Sequence, residues 1–137
     1  MSNMPKILIV EDDIDLVEST KKILETRGYQ IIVAYDPEEA GERLKKQIPD
    51  LIILDVMFGS KGESLGFDFA RKVKHDRQFA EIPIVMLSAI NAKEHYFSFS
   101  PETDGEFLPV DCFLDKPLDP DELFSKIEDL LKQKSSH

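Results

Sequence analysis

The sequence predicts an α/β fold: a doubly wound, five-stranded parallel sheet with helices on both faces. Three observations carry this. Short apolar runs recur along the chain without polar alternation, at Ile7-Leu8-Ile9-Val10, Ile31-Ile32-Val33-Ala34, Leu51-Ile52-Ile53-Leu54, Ile84-Val85-Met86-Leu87 and Cys112-Phe113-Leu114. Runs of that kind are strands buried on both faces, which is how a parallel sheet covered by helices reads. Amphipathic stretches lie between the runs, and two of those stretches open on well-marked helix starts. Strands alternating with helices give right-handed crossovers and a layered α/β domain.

The elements follow in order. After the first run, Leu16, Val17, Thr20, Ile23 and Leu24 share a helical face, and Gly28 is the expected stop. After the second, Asp36-Pro37-Glu38-Glu39 puts an acceptor at the N-cap, proline at the first helical position and glutamate at the third. Ala40, Leu44 and Ile48 then recur every fourth residue. After the third run, Phe67, Ala70 and Val73 form the next stripe. The stretch from Asn91 to Val110 holds Pro101, Gly105 and Pro109 and aromatics without a helical period, so a fourth helix there is expected to be short, displaced or absent. Tyr96, Phe97, Phe99 and Phe107 read as core cover, with docking as the alternative. Asp119-Pro120-Asp121-Glu122 repeats the capping pattern before a last stripe of Leu123, Ile127, Leu130 and Leu131.

Bulk properties fit one domain over residues 1–137, its core spanning about 6–132. Hydrophobic residues make up 42% and charged residues 32% of the 137, which is ordinary for a soluble domain. Cys112 is the single cysteine, so no internal disulfide forms, which suits a cytoplasmic location. A buried packing role is expected for it. No run approaches a membrane span. With a net charge of −10 the chain repels nucleic acid unless a local basic patch exists. The densest basic stretch, Arg71-Lys72-Val73-Lys74-His75, reads as a solvated helix face. His75, His95 and His137 have no zinc-site spacing.

Ligands of doubly wound sheets bind outside the carboxyl ends of the strands. The first run is followed by Glu11-Asp12-Asp13, the third by Asp55, the fourth by Ser88-Ala89, and the fifth by Asp115-Lys116-Pro117. Asp13 reads as the cap of the first helix. Glu11, Asp12 and Asp55 converging on one edge repel one another unless a cation offsets them. A hard, oxygen-seeking ion such as Mg²⁺ is the natural partner. A lysine and a hydroxyl beside them suit phosphoryl chemistry, which needs mostly positioning and charge neutralisation.

These four motifs, in this order and each at a strand end, resemble the receiver domains of bacterial response regulators over about Lys6 to Lys132. The resemblance implies the flavodoxin-like strand order 2-1-3-4-5 and assigns roles by position. Asp55 would accept the phosphoryl group of a phospho-histidine. Glu11, Asp12, Asp55 and the backbone carbonyl of Met57 would hold Mg²⁺. Ser88 would be the switch hydroxyl, Lys116 the phosphoryl-pairing lysine, and Phe113 the switch aromatic. The implied partners are a histidine kinase or a histidine phosphotransfer protein and a downstream protein that the sequence does not name. Nucleic acid and membrane are not expected, and the chain would be a monomer or a weak dimer.

Three features depart from the family pattern. The loop after Asp55 is longer and lacks the usual proline. The Ser88-to-Lys116 spacing is longer, with the excess in Asn91–Val110. Phe113 replaces the commoner tyrosine. All three bear on the output surface. Met57 and Ile90 are apolar where the family modulates dephosphorylation, so slow self-hydrolysis is expected. The functional expectation is a stand-alone response regulator rather than an enzyme. The alternatives are a receiver-shaped interaction scaffold and an aspartyl-nucleophile phosphatase, which would want an acid at Met57. An FMN carrier of the same fold class is disfavoured because Glu11-Asp12-Asp13 would repel phosphate.

Overall fold

The computed structural model describes residues 4–55, 65–88, 111–115 and 119–135, with the side chains of 65–67, 88, 113, 115 and 133–135 excepted. Its elements are β1 (Lys6–Val10), α1 (Ile14–Glu25), β2 (Gln30–Ala34), α2 (Pro37–Lys46), β3 (Leu51–Asp55), α3 (Leu65–His75), β4 (Ile84–Ser88), β5 (Cys112–Asp115) and α4 (Pro120–Ser135). The strands form one five-stranded sheet in the order β2-β1-β3-β4-β5, parallel at every pairing. This is the α/β fold class expected. The Asn91–Val110 stretch lies outside the described residues.

Side chains in a strand alternate between faces, and here each face builds its own core. Leu8, Val10, Ile52, Leu54, Ile84 and Met86 pack with Ala40 and Leu44 of α2 and with Phe69, Ala70 and Val73 of α3. Ile7, Ile9, Leu51, Ile53, Val85, Leu87 and Leu114 face the other way, onto Val17 and Leu24 of α1 and Leu123, Phe124 and Ile127 of α4. Beyond Lys6, β1 and β3 are fully covered because they lie inside the sheet. Ile31, Ile32 and Val33 are only half-buried, because β2 is an edge strand.

The helix starts form as their sequences dictate. Asp13 accepts a hydrogen bond from Leu16 N at 3.1 Å, and Asp36 accepts one from Glu39 N at 2.8 Å. Glu39 reaches back to accept from Tyr35 N at 2.9 Å, completing a reciprocal cap one residue earlier than the usual box. Asp119 accepts from Asp121 N at 3.0 Å. Gly28 has φ +87, a left-handed turn that glycine adopts without strain. The Met4 side chain lies where a Cβ at Gly28 would stand.

Two local expectations are corrected. α2 ends at Lys46, so Ile48 does not continue its stripe and is 47% exposed. Pro49 disfavours helical backbone at the residue before it. Lys74 does not belong to a purely solvated face. Its ammonium donates to Ile82 O at 3.0 Å and pairs with Asp111 at 3.1 Å, while Asp111 also accepts from Ile84 N at 2.7 Å. That cluster ties α3 to the amino ends of β4 and β5.

Candidate functional site

β1 and β3 are adjacent and parallel, with Val10 opposite Leu54. The residues that follow or close these strands therefore meet at one edge of the sheet. Glu11 is anchored there by its own backbone N–H, which donates to Ala34 O at 3.1 Å. Asp13 N donates to Glu11 Oε2 at 3.1 Å, so the turn that starts α1 also aims this carboxylate. Asp55 is the last residue of β3 and 4% exposed, Glu11 is 1% exposed, and Asp12 is exposed. One carboxylate oxygen from each of Glu11, Asp12 and Asp55 lies within 4.8 Å of the other two.

Two unit charges about 4 Å apart repel by roughly 1 kcal/mol in water and roughly 4 kcal/mol at the dielectric of a protein surface. Three carboxylates, two of them buried, are therefore an arrangement that a cation relieves. Mg²⁺ takes octahedral oxygen ligands at about 2.0–2.1 Å, so ligand oxygens around it sit roughly 3–4 Å apart. The three acidic oxygens fit that scale with small side-chain adjustments, and the donor set is all hard oxygen.

The other predicted site residues divide in two. Ser88 closes β4 with its backbone opposite Asp115, one position beyond the Asp55–Leu87 pair. It is thus at the same sheet edge. Phe113 lies within β5, opposite Met86. Met57 and Lys116 lie outside the described residues. Asp13 does cap α1 as expected. Its backbone contact with Glu11 was not legible beforehand, because nothing in a lone Glu-Asp-Asp run says which acid orients which. Cys112 is half-buried rather than fully buried, since β5 is the other edge strand, and burial pushes its thiol above the ordinary value.

A family model described as the response regulator receiver domain matches residues 7–128. The chain belongs to the receiver domain family. Receiver domains are signalling modules of two-component systems. They bind Mg²⁺ at acidic residues and interact with histidine kinases or phosphotransfer proteins. Among curated proteins, this receiver domain is 35% identical over 133 residues to the transcriptional regulatory protein CpxR of Escherichia coli K12, covering 95% of this chain and 50% of that protein. It is 32% identical to the phosphate regulon transcriptional regulatory protein PhoB of the same organism, covering 93% and 52%. The chain thus spans about half the length of the curated relatives it matches. Among solved structures, chemotaxis protein CheY4 of Vibrio cholerae superposes with a TM-score of 0.74 at 28% identity, covering 93% of this chain and 99% of that one. No helix among the described residues is long and apolar enough to cross a membrane.

Proposed function

We propose that this receiver domain is a phosphorylation switch that accepts a phosphoryl group on Asp55 and changes partner binding as a result. The observation that supports this reading is the gathering of Glu11, Asp12 and Asp55 within 4.8 Å at the carboxyl edge of the sheet. The carboxylates, with the backbone carbonyl of Met57, would hold Mg²⁺. Bound there, the ion offsets the charge of the acidic cluster and of the incoming phosphoryl oxygens.

An oxygen of Asp55 attacks the phosphorus of a phospho-histidine. A P–O bond forms as the P–N bond breaks, and the imidazole leaves with the electron pair. Lys116 pairs with one phosphoryl oxygen as a point charge, and the Ser88 hydroxyl donates to another. The new charge and acceptor oxygens draw Ser88 toward the phosphoryl group, and Phe113 takes the space released. That is a bias on a packing equilibrium. Because Phe113 has no phenol, the signal passes through packing alone. Met57 and Ile90 cannot orient a water, so the acyl phosphate hydrolyses slowly. The donor is a histidine kinase or a phosphotransfer protein, and the output is contact with another protein.

Intact mass spectrometry after incubation with a small phospho-donor tests this. The mass should rise by one phosphoryl group with Mg²⁺ and not without it, and Asp55→Asn should remove the gain. An unmodified wild-type chain under both conditions would favour the receiver-shaped scaffold instead.

A further inference from the structure

β2 is an edge strand whose own sequence does little to protect the edge. Tyr29-Gln30-Ile31-Ile32-Val33-Ala34-Tyr35 runs for seven residues without a charge, proline or glycine, and Ile31, Ile32 and Val33 are only half-buried. An uncharged, β-branched edge of this kind is a template for pairing with another chain. β5, at the opposite edge of the sheet, is bracketed by Asp111 and Asp115, charges that discourage such pairing. β2 has none, so protection has to come from outside the strand.

In a parallel ladder the N–H and C=O of one residue point to the same neighbouring strand, and alternate residues point to opposite sides. Gln30 N donates to Pro5 O at 2.9 Å, and Ala34 O accepts from Glu11 N at 3.1 Å, so Gln30, Ile32 and Ala34 face β1. Ile31, Val33 and Tyr35 therefore direct their backbone groups outward. α2 meets two of these groups. Val33 O accepts from Arg43 Nε at 3.2 Å, and Tyr35 N donates to Glu39 Oε1 at 2.9 Å. Arg43 Nη2 pairs with Glu39 Oε2 at 2.9 Å, which holds the two side chains together. An i, i+4 pair that only decorated a solvated helix face would leave Arg43 Nε and Glu39 Oε1 to water. Here those two atoms cap successive outward-facing residues of the strand.

We propose that Glu39 and Arg43 form a latch that closes the β2 edge against strand addition, and that what it excludes is the same segment of a second copy. Residues 29–35 carry no charge, so two copies of the segment can lie side by side without opposing like charges. An incoming strand needs the Val33 carbonyl and the Tyr35 amide for its main-chain hydrogen bonds, and the latch already holds both. It also places a cation and an anion beside the edge, and an apolar strand would have to strip water from them to dock. Neither latch residue belongs to the carboxylate cup, so the latch stands or falls apart from the phosphorylation reading.

Sedimentation velocity on the full chain tests this, at a temperature where circular dichroism shows every variant folded. Arg43→Ala should self-associate about tenfold more tightly than wild type, or more. Lys45→Ala removes the same charge from the same helix and should behave as wild type. Adding Gln30→Lys to Arg43→Ala should restore wild-type behaviour, because a lysine on the strand guards the edge directly. A chain that associates only because it is destabilised gains nothing from that second change. In Arg43→Ala the outward amides of Ile31 and Val33 should also exchange with solvent more slowly as the protein concentration rises. An Arg43→Ala chain no more associated than wild type, or association that Gln30→Lys leaves intact, overturns the proposal.

Discussion

Glu11 and Asp55 are nearly inaccessible, a placement that carboxylates otherwise avoid. The backbone hydrogen bond that Glu11 accepts offsets part of the cost of its burial, while the neighbouring carboxylates add repulsion that a cation at this edge would relieve. The strand-end positions of these acids were readable from sequence, because a parallel sheet sends every strand terminus to one edge. The Lys74–Asp111 cluster was not, since partners so far apart in sequence leave no periodic signal. Two other side chains set an alkaline limit. Burial pushes the Cys112 thiol above 9.0, and burial together with Glu128 pushes the Tyr29 phenol above 10.0. A folded pKa above the unfolded one contributes stability that is complete below the unfolded value and lost as pH rises through the folded value. Stability is therefore expected to fall above about pH 9. Urea unfolding at stepped alkaline pH should show this decline, and it should flatten in the Cys112→Ala/Tyr29→Phe variant.

Elements differ in how much of their sequence is explained by the sheet alone. β1 and β3 are buried end to end beyond Lys6, so their unbroken apolar runs announce them. β2 has a similar run but sits at the edge, half-covered; an apolar run does not say which strand ends a sheet. The difference has a measurable consequence. Ile53→Ala empties a fully buried position in β3 and should cost about 2–5 kcal/mol, whereas Ile32→Ala on β2 should cost about 1 kcal/mol. Urea midpoints report both, and equal losses would contradict the topology. Helix starts were legible because Asp13, Asp36 and Asp119 each carry the capping chemistry in their own side chain. The end of α2 was set by Pro49 rather than by the apolar spacing that pointed on to Ile48. α1 and α4 are further joined by Arg27, which stacks 3.9 Å from the Phe124 ring centroid and pairs with Glu128 at 3.4 Å. This contact between remote residues has no sequence signature either.

Across the whole molecule, the helices run back from the carboxyl edge of the sheet, and their charges follow. First turns carry Asp15, Glu38, Glu39, Asp68, Asp121 and Glu122, while Lys22, Arg43, Lys45, Lys46, Lys72, Lys74 and His75 occupy last turns. The dipoles of α1, α2 and α3 are matched at both ends and that of α4 at its start, and the sum is a domain whose acidic end is the candidate site, in a chain of net charge −10. Such a field draws cations to the edge where Glu11, Asp12 and Asp55 meet. Calorimetric or NMR titration with Mg²⁺ measures whether they hold one. The wild-type chain should show a single saturable site, with affinity falling tenfold or more, about 1.4 kcal/mol, in Asp12→Ala and again in Asp55→Ala. No saturable binding, or the same affinity in all three chains, would mean that the three carboxylates share an edge of the sheet without sharing a metal.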